Sequence, residues 1–480
     1  MKNKRNLLVA GLAFVAITAT ALTSCGKPAT VLIWGPTDHV DVYNKVFKEF
    51  SETEEGAFFK GMGIDYAGSG DSGAYSNLSI DPQAGASVYT FANDMLINLK
   101  RIGALSKLNA EQTAWIKDNH VTAAVEAGKI GGDYYAYPVS ADNGYFMYLN
   151  KEAFEGTNVW DATSDNLKAG YTFQDLYAAL DQKGGKWANG KVTWAIGDAW
   201  YVSGAFFGAG TDYSVTYNDK GEQTEAKCNF GYDVVDGKED YTKGLEAVEA
   251  IKSTFMNADG SINKHFLYSD GGTEPLNDNI TKYLNSEETP LAAAVCGTWK
   301  SSEIKGGLLD TTGQPINKGW GENARATVLP ILEGAKDDYL FKTFAGFKLM
   351  AVNPYSNFAQ QSEEHVAALH TLAKYLSDDY VSMERFASTA LGPSNIKAQK
   401  NEEVAIDYAL TALNEQYALD NNNGFRVQES VPANYWTPLE VFGKGLYNAM
   451  KDGTKGAFDT EANIKRTLKQ LQFDIESAAQ

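Results

Sequence analysis

Residues 135–154 read YAYPVSADNGYFMYLNKEAF, and the fold turns on them. An extended apolar run stands on each side of the polar residues 140–144, so a chain that leaves one core here enters another. Upstream, short apolar runs alternate with amphipathic segments. VLIWG (31–35) reads as a strand, and DVYNKVFKEFSE (41–52) places Val42, Val46, Phe47 and Phe50 at helical spacing. GIDYAG (63–68) and ASVYTF (86–91) are the next two strands. Downstream, YTFQDLYAALDQKG (171–184), WAIGDAWYVSGAFFGAG (194–210) and PLAAAVCGTWKSSEI (290–304) form a second unit of the same kind. This alternation predicts an α/β protein of parallel sheets covered by helices.

Between these segments, residues 213–241 read as a hairpin or surface excursion, because NDKGE carries turn residues. ATVLPILEG (326–334) and FAGFKLMAVNPYS (344–356) bring extended chain back toward the first unit. Helices close the sequence at 363–379 and 438–453.

The chain has 480 residues, enough for two domains and a large core. It opens on the basic MKNKRN, followed by the uncharged apolar run 7–22, too short for a spanning helix and read as a secretory signal. Leu22, Thr23, Ser24 and Cys25 then resemble the bacterial lipobox, which implies cleavage before Cys25 and lipid on its sulfur. Each buried methylene adds about 0.8 kcal/mol, so more than one acyl chain anchors stably. Residues 1–24 are thus the signal and 25–30 a lipidated tether. Loss of Lys2, Lys4 and Arg5 takes the formal charge from -19 to -22, a balance that argues against nucleic acid. Cys228 and Cys296 remain, and are read as free thiols because one pair gives no disulfide framework.

Taken in order, these motifs resemble the extracellular solute-binding lipoproteins of carbohydrate ABC importers, in the maltose/maltodextrin-binding branch. VLIWG resembles the family's first strand and FAND (91–94) its ligand-facing turn. The Tyr-Pro pair and the later Tyr-x-Asn-Lys of residues 137–151 resemble its crossover, one residue longer than expected. Residues 292–304 resemble the strand and Gly-x-Trp turn of the second domain. The resemblance implies a two-lobe, type II periplasmic-binding-protein-like fold, each lobe a mainly parallel sheet flanked by helices, with the ligand cleft between lobes. Lobe 1 is expected over 31–140 and 348–400, and lobe 2 over 141–347 and 401–480. It also implies a monomeric receptor on the extracellular face of the cell membrane, with an oligosaccharide ligand, an ABC permease partner and no cofactor.

In such sheets ligands bind beyond the carboxyl ends of strands. A sugar presents C–H faces and a hydroxyl rim, so its site combines aromatic plates with carboxylates or amides. The candidates are Asp38, Phe91, Asn93, Asp94, Asp142, Asn143, Trp200, Trp299 and Trp436. The family uses aromatics at positions resembling Trp200, Trp299 and Trp436, and acids at positions resembling Asp38, Asp94 and Asp142. Core packing is the alternative for each aromatic, and helix capping for the aspartates. Trp34, inside a strand, is read as core. His39 and Phe91 depart from the basic residue and Trp common in the branch, which leaves the particular sugar open.

The rival is a surface glycoside hydrolase, whose equipment is two carboxylates in an aromatic-lined cleft; a binder of a non-α-glucan oligosaccharide is another. His365 and His370 stand five apart without an HExxH pattern, and Tyr268 occupies the place where a calcium loop beginning at Asn257 needs Glu. Neither a phosphate-cradling G-x-x-x-x-G-K-[ST] nor a dinucleotide G-x-G-x-x-G occurs.

Overall fold

A computed structural model describes residues 30–218, 220–269, 273–306, 318–334, 338–453 and 456–477. The signal, Cys25 and most of the tether lie outside the described residues.

Thr30–Gly35 (β1) places Val31 and Ile33 in one core and Leu32 and Trp34 against another, since side chains alternate along a strand. Helix Val40–Ser51 follows and buries Val42, Val46, Phe47 and Phe50. Gly63–Gly68 (β2) and Val88–Ala92 (β3) both pair parallel with β1. Tyr137–Asn143 (β4) leads through Gly144 into Phe146–Asn150 (β5). A Cβ on Gly144 would lie 2.6 Å from both the Phe344 carbonyl oxygen and Tyr417 Oη, so the tight crossing excludes any side chain there.

Lys191–Trp194 (β6) begins the second parallel group. Tyr213–Tyr217 (β7) and Gln223–Cys228 (β8) are the expected hairpin, and its turn at Gly221 lies against Ile97 and Arg101 of the first lobe. Phe266–Tyr268 (β9) and Leu291–Cys296 (β10) pair parallel with β6, while Ala324–Thr327 (β11) pairs antiparallel with β5. Thr343–Val352 (β12) returns to the first sheet, and Phe425–Val427 (β13) pairs parallel with its start.

The first sheet therefore runs β2-β1-β3-β12-β13, with β4 also on β12, and the second runs β9-β6-β10-β5-β11. Each keeps three parallel strands at its heart. The strands linking the lobes add antiparallel pairs: β12 with β3 and β4, and β5 with β10 and β11. Both linking segments supply apolar residues to both cores. Phe344 packs in the second lobe, whereas Phe347, Leu349 and Ala351 pack on one face of the first sheet and Met350 and Val352 on the other. Tyr137 and Val139 likewise belong to the first lobe, and the run from Tyr145 to Leu149 to the second. Burying apolar area at about 25 cal/mol per Å² fixes each half of these segments in its own lobe. The polar residues between them remain at the junction.

Trp34 packs, partly buried, beside the first sheet. Cys228 and Cys296 are buried and free. His370 is buried in helix Glu363–Leu376, within hydrogen-bond distance of Ser106 Oγ (2.8 Å) and Tyr137 Oη (3.1 Å). Residues 257–261 close a tight turn, with Asp259 accepting from Ser261 N at 2.9 Å. Among the described residues no helix is long and apolar enough to cross a membrane.

Candidate functional site

Asn93, Asp94, Asp142 and Asn143 lie at or just past the ends of β3 and β4, while Trp200, Trp299 and Trp436 pack, partly buried, against the second lobe's core. Asn93 follows β3 and is 4 % exposed. Its amide is fully engaged, with Oδ1 accepting from Phe347 N at 3.0 Å and Nδ2 donating to the Gln428 carbonyl at 2.5 Å. Asn143, at the end of β4, donates from Nδ2 to Gln428 Oε1 at 3.2 Å. The two asparagines thus tie β3, β4 and β12 to the segment after β13. They position the site's walls.

The two buried acids differ in how they are satisfied. Asp142, 2 % exposed, accepts at Oδ2 from Thr298 Oγ1 and from Gly392 N, both at 2.7 Å. Burial raises its carboxyl above the usual range, and those two donors with the Lys348 charge work against the rise. Asp94, 6 % exposed, has an Oδ1 with no hydrogen-bond partner among the described residues. Burial pushes its carboxyl up to about 7, with Lys348 pulling it down. Asp94 also acts electrostatically on Tyr213 and Tyr217 of the hairpin, which places that hairpin beside it.

The aromatic candidates form a second group. Trp200 opens helix Ala199–Gly208, and its backbone N–H donates to Asp198 Oδ1 at 2.8 Å. Its indole stacks on Phe344 at 4.5 Å and 18°, and meets Trp436 at 6.4 Å. Trp436 opens helix Trp436–Lys451 and stands edge-on to the buried Tyr435, which packs on Tyr213 at 4.6 Å. Trp436 also borders a hollow of about 410 Å³ shared with Asn434, Asp474 and Ser477. Trp299 follows Thr298, so the Asp142 hydrogen bond holds the turn that carries its ring. The indole N–H groups of Trp200 and Trp299 are buried without a partner among the described residues. The indole N–H groups of Trp187, Trp194 and Trp320 in the second lobe's core share that state.

One expectation changes and one alternative falls. Phe91 is fully buried beside Tyr89, Leu349 and Ala351, on the strand face that packs into the first lobe's core, and so is removed from the candidate ligand set. Asp38 does not cap the helix after β1, whose start has no side-chain cap; it is exposed in the short turn Thr37–His39. The neighbouring His39 is buried, with Nε2 3.1 Å from Thr389 Oγ1.

Sequence reading missed Thr298, Gly392 and Gln428, because their roles arise from contacts across more than a hundred residues. It also missed Lys348. The signal for Lys348 was visible: a lone charge inside the apolar run TFAGFKLMAV. Among the described residues no group of three or more His, Cys, Asp or Glu side chains is arranged to hold a metal ion.

No protein-family model and no curated protein sequence matches the chain. Solved structures do. Maltodextrin-binding protein MalE1 from L. casei BL23, without ligand, is similar with a TM-score of 0.62 and 20% identity, over 93% of this chain and 100% of that one. The GacH receptor of Streptomyces glaucescens GLA.O matches at a TM-score of 0.63 and 15% identity, over 94% and 100%. MalX from Streptococcus pneumoniae, in complex with maltopentaose, matches at 0.62 and 16%, over 92% and 99%. At these identities the likeness establishes the fold: two α/β lobes of the periplasmic-binding-protein type.

Proposed function

We propose that the chain is a lipid-anchored, extracellular carbohydrate-binding receptor that delivers an oligosaccharide, maltose or a maltodextrin, to an ABC importer. The observation that carries this reading is the pair of buried carboxylates at the junction of two lobes, one of which, Asp142, is hydrogen-bonded to the turn that carries Trp299. Asp94 and Asp142 suit hydroxyl rims, while Trp200, Trp299 and Trp436 suit C–H faces. Asp38 adds an exposed acid after β1. Asn93 and Asn143 act as positioning residues.

The mechanism follows from the crossings. With lobe 1 over 31–140 and 348–400 and lobe 2 over 141–347 and 401–480, β12 and the β4-to-β5 segment are two of the hinge segments. A ligand touching both lobes favours the closed arrangement by its greater affinity for it. The permease then reads the closed form, and Cys25 keeps the receptor at its membrane. MalX is described in complex with maltopentaose and the GacH receptor with acarbose, which supports an α-glucan-like ligand for this chain.

Calorimetry of the protein lacking its signal and Cys25, against maltose, maltotriose, longer maltodextrins and β-linked oligosaccharides, tests the reading. Saturable binding of an intact α-glucan is expected, weakened by Trp299→Ala and Trp436→Ala by about 1 to 3 kcal/mol each. Binding of β-linked sugars alone changes the substrate, and recovery of cleaved sugar replaces the receptor with a hydrolase.

A further inference from the structure

We propose that Lys348 is a ligand-contacting, specificity-determining residue of the cleft, presenting its ammonium group to a sugar hydroxyl between the Asp94 and Asp142 carboxylates. This deepens the carbohydrate reading and rests on it.

Lys348 lies within β12, a strand paired on both sides. Every other residue of that strand is buried, and Lys348 alone is partly exposed. A lysine enters such a strand at a large desolvation cost unless its ammonium reaches water or polar partners, so its retention there marks an opening at that position. The strand register says where the opening is. Lys348 stands opposite Ala92 on β3 and Ser140 on β4, two residues before Asp94 and Asp142 respectively. Its charge acts on both carboxyls. His39, the basic residue after β1, is buried beside Thr389, so β12 brings a cation to these acids where the turn after β1 does not.

The chemistry is complementary. An ammonium group only donates, an ionised carboxylate only accepts, and a hydroxyl does both. A hydroxyl that accepts from Lys348 and donates to either aspartate is therefore held from two sides, and a C–H in its place makes neither hydrogen bond. Discrimination at one hydroxyl position is the consequence.

The test is calorimetry of maltose and its monodeoxy derivatives on the wild type, Lys348→Met and Lys348→Arg, with thermal melting as the check on folding. Methionine keeps the stem and removes a charge from a strand, so the melting temperature is expected to hold or rise. The wild type should reject one monodeoxy maltose by about tenfold or more, Lys348→Met should bind maltose about tenfold or more weakly while treating that derivative like maltose, and Lys348→Arg should recover part of the discrimination. If the wild type binds maltose and Lys348→Met keeps the same affinity or the same ranking of derivatives, this inference is overturned while the receptor reading stands. The comparison is made on the shortest sugar of the panel that the wild type binds, and if it binds none of them, both fall.

Discussion

Replacing Asp94 by asparagine should make the ligand-free protein more stable while making it a poorer receptor, and the gain should depend on pH. Burial raises this carboxyl from 3.8 to about 7, even with Lys348 on β12 favouring its ionised form and with Tyr213 and Tyr217 of the hairpin facing it. Between those values the folded protein holds a proton that the unfolded chain has released, so the group's contribution to stability falls as pH rises from about 4 to 7 and stays low above. At about 1.36 kcal/mol per pKa unit, ionised Asp94 costs the fold about 4 kcal/mol above pH 7. At pH 5 the cost is only about 2 kcal/mol, because the unfolded carboxyl is then little more than one unit past its own pKa. Urea unfolding of wild type and Asp94→Asn at pH 5 and pH 8.5 reads the difference, in which the pH-independent cost of burying the new amide cancels. The variant's advantage should grow by about 2 to 3 kcal/mol between the two pH values, with sugar affinity reduced throughout. An advantage that does not change with pH would refute the reasoning, because Asp94 would then titrate alike in folded and unfolded chains.

Three further outcomes are expected. A Cβ at Gly392 would lie 2.7 Å from Asp142 Cβ and 2.6 Å from Leu410 Cδ2, so Gly392→Ala should displace the Asp142 carboxylate, cost about 1 to 3 kcal/mol of stability and lower sugar affinity, read by urea unfolding and calorimetry. His370 titrates near 4 because burial disfavours its charged form, so its contribution is present above pH 6.5 and is lost as pH falls toward 4; His370→Gln should flatten that acid limb by about 3 kcal/mol in unfolding titrations. Burial raises both thiols, that of Cys296 to about 12, so the native protein lacking Cys25 should resist a thiol reagent that modifies Cys228 and Cys296 once it is unfolded.

Much of the local structure was legible because alternation and helical spacing are properties of the chain itself. VLIWG and its following helix occur where the periodicity put them, the crossing at residues 140–144 falls between the two apolar runs, and the 213–241 excursion divides into two hairpins, 213–228 and 233–240. The aromatic and acidic candidates were legible as types, but their separate roles were not. Phe91 and Asp94 lie three positions apart in FAND, yet Phe91 faces the core and Asp94 stands past the strand end near Lys348. Period-two alternation says that two faces exist without saying which face another element will cover.

Sequence by itself determined the units, their order and the two crossings, since apolar runs of strand and helix length must be buried wherever they end up. Tertiary structure decided which polar groups meet. Asp142 finds Thr298 and Gly392, Asn93 and Asn143 share Gln428, and Lys348 reaches two acids across paired strands. Those meetings depend on strand register, in which a shift of one residue turns a side chain from cleft to core. That register is set by packing between segments far apart in the chain, and it appears in no single stretch of it.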